Sequence, residues 1–298
     1  ELASVSNAKV TFKPGISKGS NIRLKGEELA IGHSAISAGT RLTPAHIGLL
    51  ATLGIAEIEV YRKPLVAILS TGDELVSPLE AGNGLAHGQI YDANSYSIAA
   101  LAIQAGARIL PRKIVRDNPS ELLSALEEAA QADIIITSGG VSVGAADFTR
   151  FVAANKGRIF DWEIPMRPGR PMAAGIVAGK PLFCLPGNPV AAMVTFLEYV
   201  RASIRRLGGE SGNLSPVTLT AIAEGRFKKR PGRYEMQRGI FQINEKGEVV
   251  VKSTGMQSSA MLTSMCKGNC IVWLDKDRDA VLPGESVTIQ PFFGLLGN

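Results

Sequence analysis

The middle of this 298-residue chain alternates between continuous apolar runs and amphipathic helical patterns, and few folds accept that alternation. Leu65–Leu69 and residues 133–137 are apolar at every position or nearly so, as a strand covered on both faces requires. Between and after them lie helical patterns. One opens at Asn94, which reads as its cap, with Ile98, Leu101, Ala102 and Ala105 inward and Gly106 closing it. A second opens at Asn118-Pro119-Ser120-Glu121 with capping-box spacing. Residues 107–115 read as a further strand, and a third helix is expected near Asp147–Ala154. Strand–helix repetition of this kind predicts a mainly parallel sheet with helices on both faces, a three-layer α/β domain.

The flanks read differently. In residues 1–63, Lys9–Phe12 and Ile55–Tyr61 alternate as strands. Thr43-Pro44 starts a helix with Ile47, Leu50 and Leu53 on one face and Gly54 at its end. Residues 172–185 suggest a hairpin, and Pro189–Leu207 a long helix. Beyond residue 212 the pattern is all-β, with short strands at 217–223, 239–244, 248–253, 269–274 and 286–290. The expected organisation is therefore a partial β/α region (1–63), an α/β domain (64–211) and a β-barrel-like domain (212–298).

With 45% hydrophobic and 20% charged residues, disorder, collagen and coiled coil are excluded. The net charge of +5 divides as +3, −1 and +3 over those three segments, too diffuse to point to nucleic acid. Its densest stretch, Arg226 to Arg238, reads as a solvated strand–loop–strand edge, with a small-anion site as the alternative. Cys184, Cys266 and Cys270 form no disulfide framework, and the last two read as buried strand residues. No apolar run approaches membrane-span length. A reducing, cytoplasmic setting is expected. The chain opens on Glu1 rather than Met, apparently in mid-domain, so something upstream is expected to be missing.

Open parallel sheets bind ligands beyond the carboxyl ends of their strands. There this sequence carries Ser70-Thr71-Gly72-Asp73-Glu74, then Arg116-Asp117-Asn118, then Ser138-Gly139-Gly140-Val141-Ser142-Val143-Gly144 followed by Asp147. Three loops thus bring Glu74, Asp117 and Asp147 toward one crevice beside a glycine pair suited to an anion, and Mg²⁺ is the cation that such carboxylates would share with phosphate. From the residues alone, helix-dipole roles for Asp117 and Asp147 stay open. Arg167-Pro168-Gly169-Arg170 sets two guanidinium forks on a stiff loop, as a tetrahedral oxyanion would require. Leu185-Pro186-Gly187-Asn188-Pro189 forms another stiff loop, leading into the long helix.

These segments, with Gly88-Gln89-Ile90-Tyr91-Asp92-Ala93-Asn94 among them, come in an order that closely resembles the molybdopterin molybdenumtransferase family, to which the C-terminal region of gephyrin also belongs. The resemblance implies molybdenum-cofactor biosynthesis: Mg²⁺-dependent insertion of molybdate into adenylylated molybdopterin, with release of AMP. It implies that Glu74, Asp117 and Asp147 hold the metal and act in catalysis. Ser138, Gly139, Gly140 and Ser142 would bind the adenylylated substrate. Arg167, Arg170, Arg238 and Ser259 would line the molybdate side, where Pro186 and Pro189 shape the pocket. It further implies a homodimer and the molybdopterin adenylyltransferase as a possible partner. The alternatives are that adenylyltransferase activity itself and a gephyrin-like interaction scaffold. Three departures stand out. Arg167 and Arg170 replace the family's lysines, Glu28 stands where the family commonly has Asp, and the family's N-terminal motifs have no match here. The fragment is accordingly expected to be the last two-thirds of a longer protein, with impaired activity.

Overall fold

The computed structural model describes residues 3–15, 17–80, 82, 84–139, 157–160, 164–170 and 172–292. Two compact units emerge, Glu1–Ile58 and Glu59–Asn298.

The first unit carries a hairpin of β1 (Ala3–Ser6) and β2 (Lys9–Phe12), with Val5 opposite Val10. Its two-residue turn uses Asn7 and Ala8, both at positive φ, the backbone that matches strand twist in tight hairpins. Helix α1 (Pro44–Thr52) begins where Thr43-Pro44 predicts it. His46 takes the place of the usual Glu in a reciprocal cap, accepting from the Thr43 backbone at 3.0 Å. Of the expected apolar face only Leu50 is buried; Ile47 and Leu53 are exposed. The strand expected over Ile55–Tyr61 does not form. Those residues are exposed throughout and no neighbouring strand among the described residues completes a ladder. Alternation makes a strand only where another strand takes up its hydrogen bonds.

The second unit is built on a sheet of β3 (Leu65–Thr71), β6 (Arg108–Ile109), β7 (Lys113–Val115), β8 (Ile134–Ser138), β9 (Arg158–Phe160), β11 (Ala173–Val177) and β12 (Lys180–Leu185). Its order is β6-β3-β8-β12-β11-β9, with β7 also on β3. The β3, β6, β7, β8 and β12 pairings are parallel, and β11 and β9 add an antiparallel edge. The single strand expected at 107–115 is broken into β6 and β7 around Pro111, which has no N–H to offer β3.

Side chains alternate across this sheet. Val66, Ile68, Ile134 and Ile136 join one core with α2 (Asn94–Gln104), and Ala67, Leu69 and Ile135 join another with α3 (Pro119–Ala129). Because both faces are covered, the apolar run cannot alternate with polar residues, and each fully buried Ile or Val contributes about 1.5–3 kcal/mol. The 172–185 hairpin is present as β11–β12, and the long helix as α4 (Pro189–Thr195), a π turn (Phe196–Val200) and α5 (Arg201–Leu207). The helix expected near Asp147–Ala154 lies outside the described residues.

Five C-terminal strands follow: β13 (Leu219–Ala223), β14 (Tyr234–Ile243), β15 (Val249–Ser253), β16 (Cys270–Leu274) and β17 (Ser286–Pro291). They pair in the cycle β14-β15-β13-β17-β16, and β16 returns to β14, closing the sheet on itself. Closure leaves little interior space. A Cβ on Gly239 would lie 2.7 Å from Val272 and 2.8 Å from Val251, so β14 needs glycine there. A sixth strand, β10 (Met166–Arg167), comes from the loop before β11 and pairs in parallel with β14 at Tyr234 and Glu235.

Three sequence expectations are corrected here. Cys270 is buried on β16, but Cys266 is exposed on α6 (Thr263–Lys267), a short helix the strand reading missed. Nor is the basic stretch simply solvated. Lys229 is buried and donates to the carbonyls of Arg230, Lys276 and Arg278, and Arg238 is 1% exposed. Finally, Asn94 is not the cap of α2: Asp92 accepts from the Ser95 backbone at 3.0 Å, and Asn94 is already helical.

Candidate functional site

The parallel strands β3, β8 and β12 end at one edge, and the loops they feed surround a cleft of about 570 Å³. Its walls include Ser70 to Gly72, Glu74, Asp117, Ser138, Gly139 and Pro186 to Pro189, joined by Asp92 and Asn94. Local geometry explains how each arrives. Gly72 has φ +152°, and a Cβ there would meet the Glu74 carboxylate at 2.6 Å, so glycine makes room for that acid to fold back over the loop. The Asp117 loop is tied down by Arg116, which donates to the Asp73 carbonyl at 2.7 Å, and by the Asp117 backbone N–H, which donates to the Asp73 carboxylate at 3.2 Å. Asn118 caps α3 by accepting from the Ser120 backbone at 2.9 Å.

The floor is made by close approach. Gly139, at φ +90°, passes so near β3 that a Cβ would lie 2.5 Å from the Thr71 carbonyl oxygen. Its N–H donates to Leu185 O at 3.2 Å, bringing the ends of β8 and β12 together. The parallel pairing of β4 (Leu75–Val76) with β5 (Ile90–Tyr91) carries Asp92 and Asn94 to the same place. Asp92, 3% exposed, accepts from the Ser70 hydroxyl at 3.0 Å as well as from Ser95.

Six residues singled out in the sequence thus share the cleft: Glu74, Asp117, Ser138, Gly139, Pro186 and Pro189. Gly140, Ser142 and Asp147 lie outside the described residues. Glu74 and Asp117 are exposed to the cleft and make no ion pair among the described residues, so hard, anionic oxygens face it without a protein cation. No cluster of three or more His, Cys, Asp or Glu suited to a metal occurs among those residues. That donor set fits Mg²⁺, which takes one or two carboxylates and fills its shell from water and ligand phosphate. Asp92, Asn94 and Asn188 were not assigned from sequence. The signal available was their place in the Gly88–Asn94 and Leu185–Pro189 segments.

The arginines gather beside the start of α4. Arg238 donates through Nε to Ser264 Oγ at 3.0 Å and through a terminal nitrogen to Ser258 O at 2.9 Å, both neutral acceptors. Burial, and then the charge of Arg167, lower its pKa to about 10. Arg167 is half-exposed on β10, 3.9 Å from the buried Glu235, which Arg233 also approaches at 3.4 Å. Ser259 is half-buried, and its carbonyl accepts from Val190 N at 3.0 Å, joining this cluster to the helix that Pro189 begins. Arg170 is exposed on the turn after Arg167 and makes no hydrogen bond or ion pair with the others among the described residues.

Comparison with known proteins decides the family. Residues 67–206 match the model of a probable molybdopterin binding domain, 220–292 the MoeA C-terminal region (domain IV) and 2–54 the MoeA N-terminal region (domain I and II). A molybdopterin molybdenumtransferase of Haemophilus influenzae is 42% identical over 97% of this chain and 71% of its own length. The chain belongs to the molybdopterin molybdenumtransferase family. A further relative of that name, from Nostoc, is 35% identical over 94% of this chain and 64% of its own. The crystal structure of a molybdopterin biosynthesis MoeA protein from Pyrococcus horikoshii superposes with a TM-score of 0.76 at 26% identity, covering 99% of this chain and 71% of that one. The chain therefore spans about two-thirds of the length of these family members. No helix among the described residues is long and apolar enough to cross a membrane.

Proposed function

We propose that this chain acts as family membership suggests, inserting molybdate into adenylylated molybdopterin with release of AMP. The observation that carries the reading is the meeting of Glu74 and Asp117, which make no ion pair among the described residues, with the Ser138–Gly139 and Pro186–Pro189 loops in one cleft at the carboxyl edge of a parallel sheet. Glu74 and Asp117 would hold Mg²⁺, with Asp147 as a third ligand. When bound, the ion would neutralise charge on the phosphate oxygens as the adenylate leaves.

The chain's own residues then divide the work. Close packing at Gly139 fixes the floor against which phosphate is placed, and Ser138 lines its edge with its hydroxyl held by Asn94 and Pro186. Arg238 is a buried cation with only neutral partners among the described residues, so a tetrahedral dianion beside it and Arg167 would relieve an uncompensated charge. Arg170, Ser259, Gly140 and Ser142 complete the two subsites in this reading. The proposal extends to a three-layer α/β domain over 64–211, flanked by 1–63 and a barrel over 212–298, and to a cytoplasmic homodimer that receives substrate from the adenylyltransferase.

Separate Glu74→Gln and Asp117→Asn variants test it. Each should slow Mg²⁺-dependent AMP release from adenylylated molybdopterin at least about 100-fold, within the range that electrostatic stabilisation supplies. Turnover equal to that of the unsubstituted chain would overturn the assignment.

A further inference from the structure

Asn94 is released from capping α2 because Asp92 does that work, and its amide spans two loops instead. Nδ2 donates to Ser138 Oγ at 2.8 Å and to Gly187 O at 2.7 Å. Gly187 O can only accept, so the orientation of the amide is fixed by chemistry. Ser138 belongs to the end of β8 and Gly187 to the loop after β12, and the residues on either side form the cleft floor. Two other bonds tie the same loops, Gly139 N to Leu185 O at 3.2 Å and Ser138 Oγ to Pro186 O at 3.4 Å, and both are longer. The loops also touch without side chains between them, since a Cβ on Gly187 would sit 3.6 Å from the Gly139 Cα. Among the described residues no side chain is wedged between Gly139 and Gly187, so hydrogen bonds set the spacing there.

We propose that Asn94 is a positioning residue: by donating to Ser138 Oγ and Gly187 O together it sets the separation of the β8 and β12 loops, and with it the shape of the phosphate-facing floor. The assignment of a phosphate ligand rests on the proposed function; the clamp itself does not. Because the clamp is anchored on the first turn of α2, whose register is locked by Asp92 to Ser70, the floor is referenced to β3 as well. Three elements of the sheet edge are thereby held at one spacing before any ligand arrives, which reduces the ordering cost that binding would otherwise carry.

The test uses the full chain and two measurements. Hydrogen–deuterium exchange on the ligand-free protein should show the hydrogen-bonded amides of Ser138 and Gly139 exchanging about tenfold faster in Asn94→Ala, while Leu101–Gln104 at the far end of α2 keep their rate. Asn94→Ser, able to donate one bond only, should fall between and serves if the alanine variant folds poorly. Titration with AMP and Mg²⁺ should then show about tenfold weaker affinity in Asn94→Ala. Unchanged loop exchange, or faster exchange spread evenly along α2, would overturn the clamp, as would an unchanged AMP affinity. A parent chain that does not bind AMP would instead refute the nucleotide reading, leaving the exchange result to decide Asn94.

Discussion

Replacing Glu198 by glutamine should remove a pH dependence from the stability of this protein. Glu198 lies on the π turn between α4 and α5, with Oε1 buried and lacking any hydrogen-bond partner among the described residues. Burial raises its carboxyl from an ordinary 4.5 to about 7, although a hydrogen bond from Gln290 and the charge of Arg201 both oppose the rise. Gln290 belongs to β17 and is held in turn by the Trp273 indole, which donates to its Oε1 at 2.9 Å. Between pH 4.5 and 7 the folded chain holds a proton that the unfolded chain has lost. The stabilisation is therefore complete below about 4.5 and is lost as pH rises through about 7, a change of about 3 kcal/mol. Denaturant unfolding of the parent chain and Glu198→Gln at pH 5 and pH 8.5 measures it, because contributions of all other groups cancel between the two proteins. The parent should lose about 2–3 kcal/mol more than the variant across that interval. Equal losses would refute the reasoning by showing that the carboxylate is solvated in the folded state.

Two further outcomes follow from geometry. Gly139→Ala places a Cβ against the Thr71 carbonyl at positive φ, so it should cost about 1–3 kcal/mol in denaturant melts and weaken AMP binding; an unchanged midpoint would show that the floor can open. Iodoacetamide should label Cys266 alone in the native chain, since burial raises the thiols of Cys184 to about 11 and Cys270 to about 12; mass spectrometry finding label at either buried position before unfolding contradicts this.

What the sequence made legible was whatever depends on neighbours along the chain. The runs at Leu65–Leu69 and Ile134–Ile136 read as doubly covered strands because covering both faces forbids alternation, whichever helices do the covering. Asn118 read as a cap because the backbone N–H its side chain accepts from lies two residues on, at Ser120. Glu74 and Asp117 were found because the ends of parallel strands mark a crevice on topological grounds. What stayed hidden depends on partners remote in sequence. Lys229 and Arg238 look like surface charges until the carbonyls of Lys276, Arg278 and Ser258 are folded around them. Ile55–Tyr61 alternates but meets no strand among the described residues. At Asp92 and Asn94 two capping side chains lie two positions apart, and only the location of Ser138 and Gly187 determines which one is free for other work.

The borrowed strand β10 also has a bearing on how the site can adapt. Arg167 is covalently part of the segment leading to β11, yet its backbone is laced to β14, the strand that carries Arg238. Both guanidiniums are therefore mounted on one beam, like the jaws of a caliper locked at a set gauge. Glu74 and Asp117 are mounted on another, the edge of the parallel sheet. The proposed anion site is thus tied through its backbone to the closed C-terminal sheet, and the proposed carboxylate site to loops at the end of the parallel one.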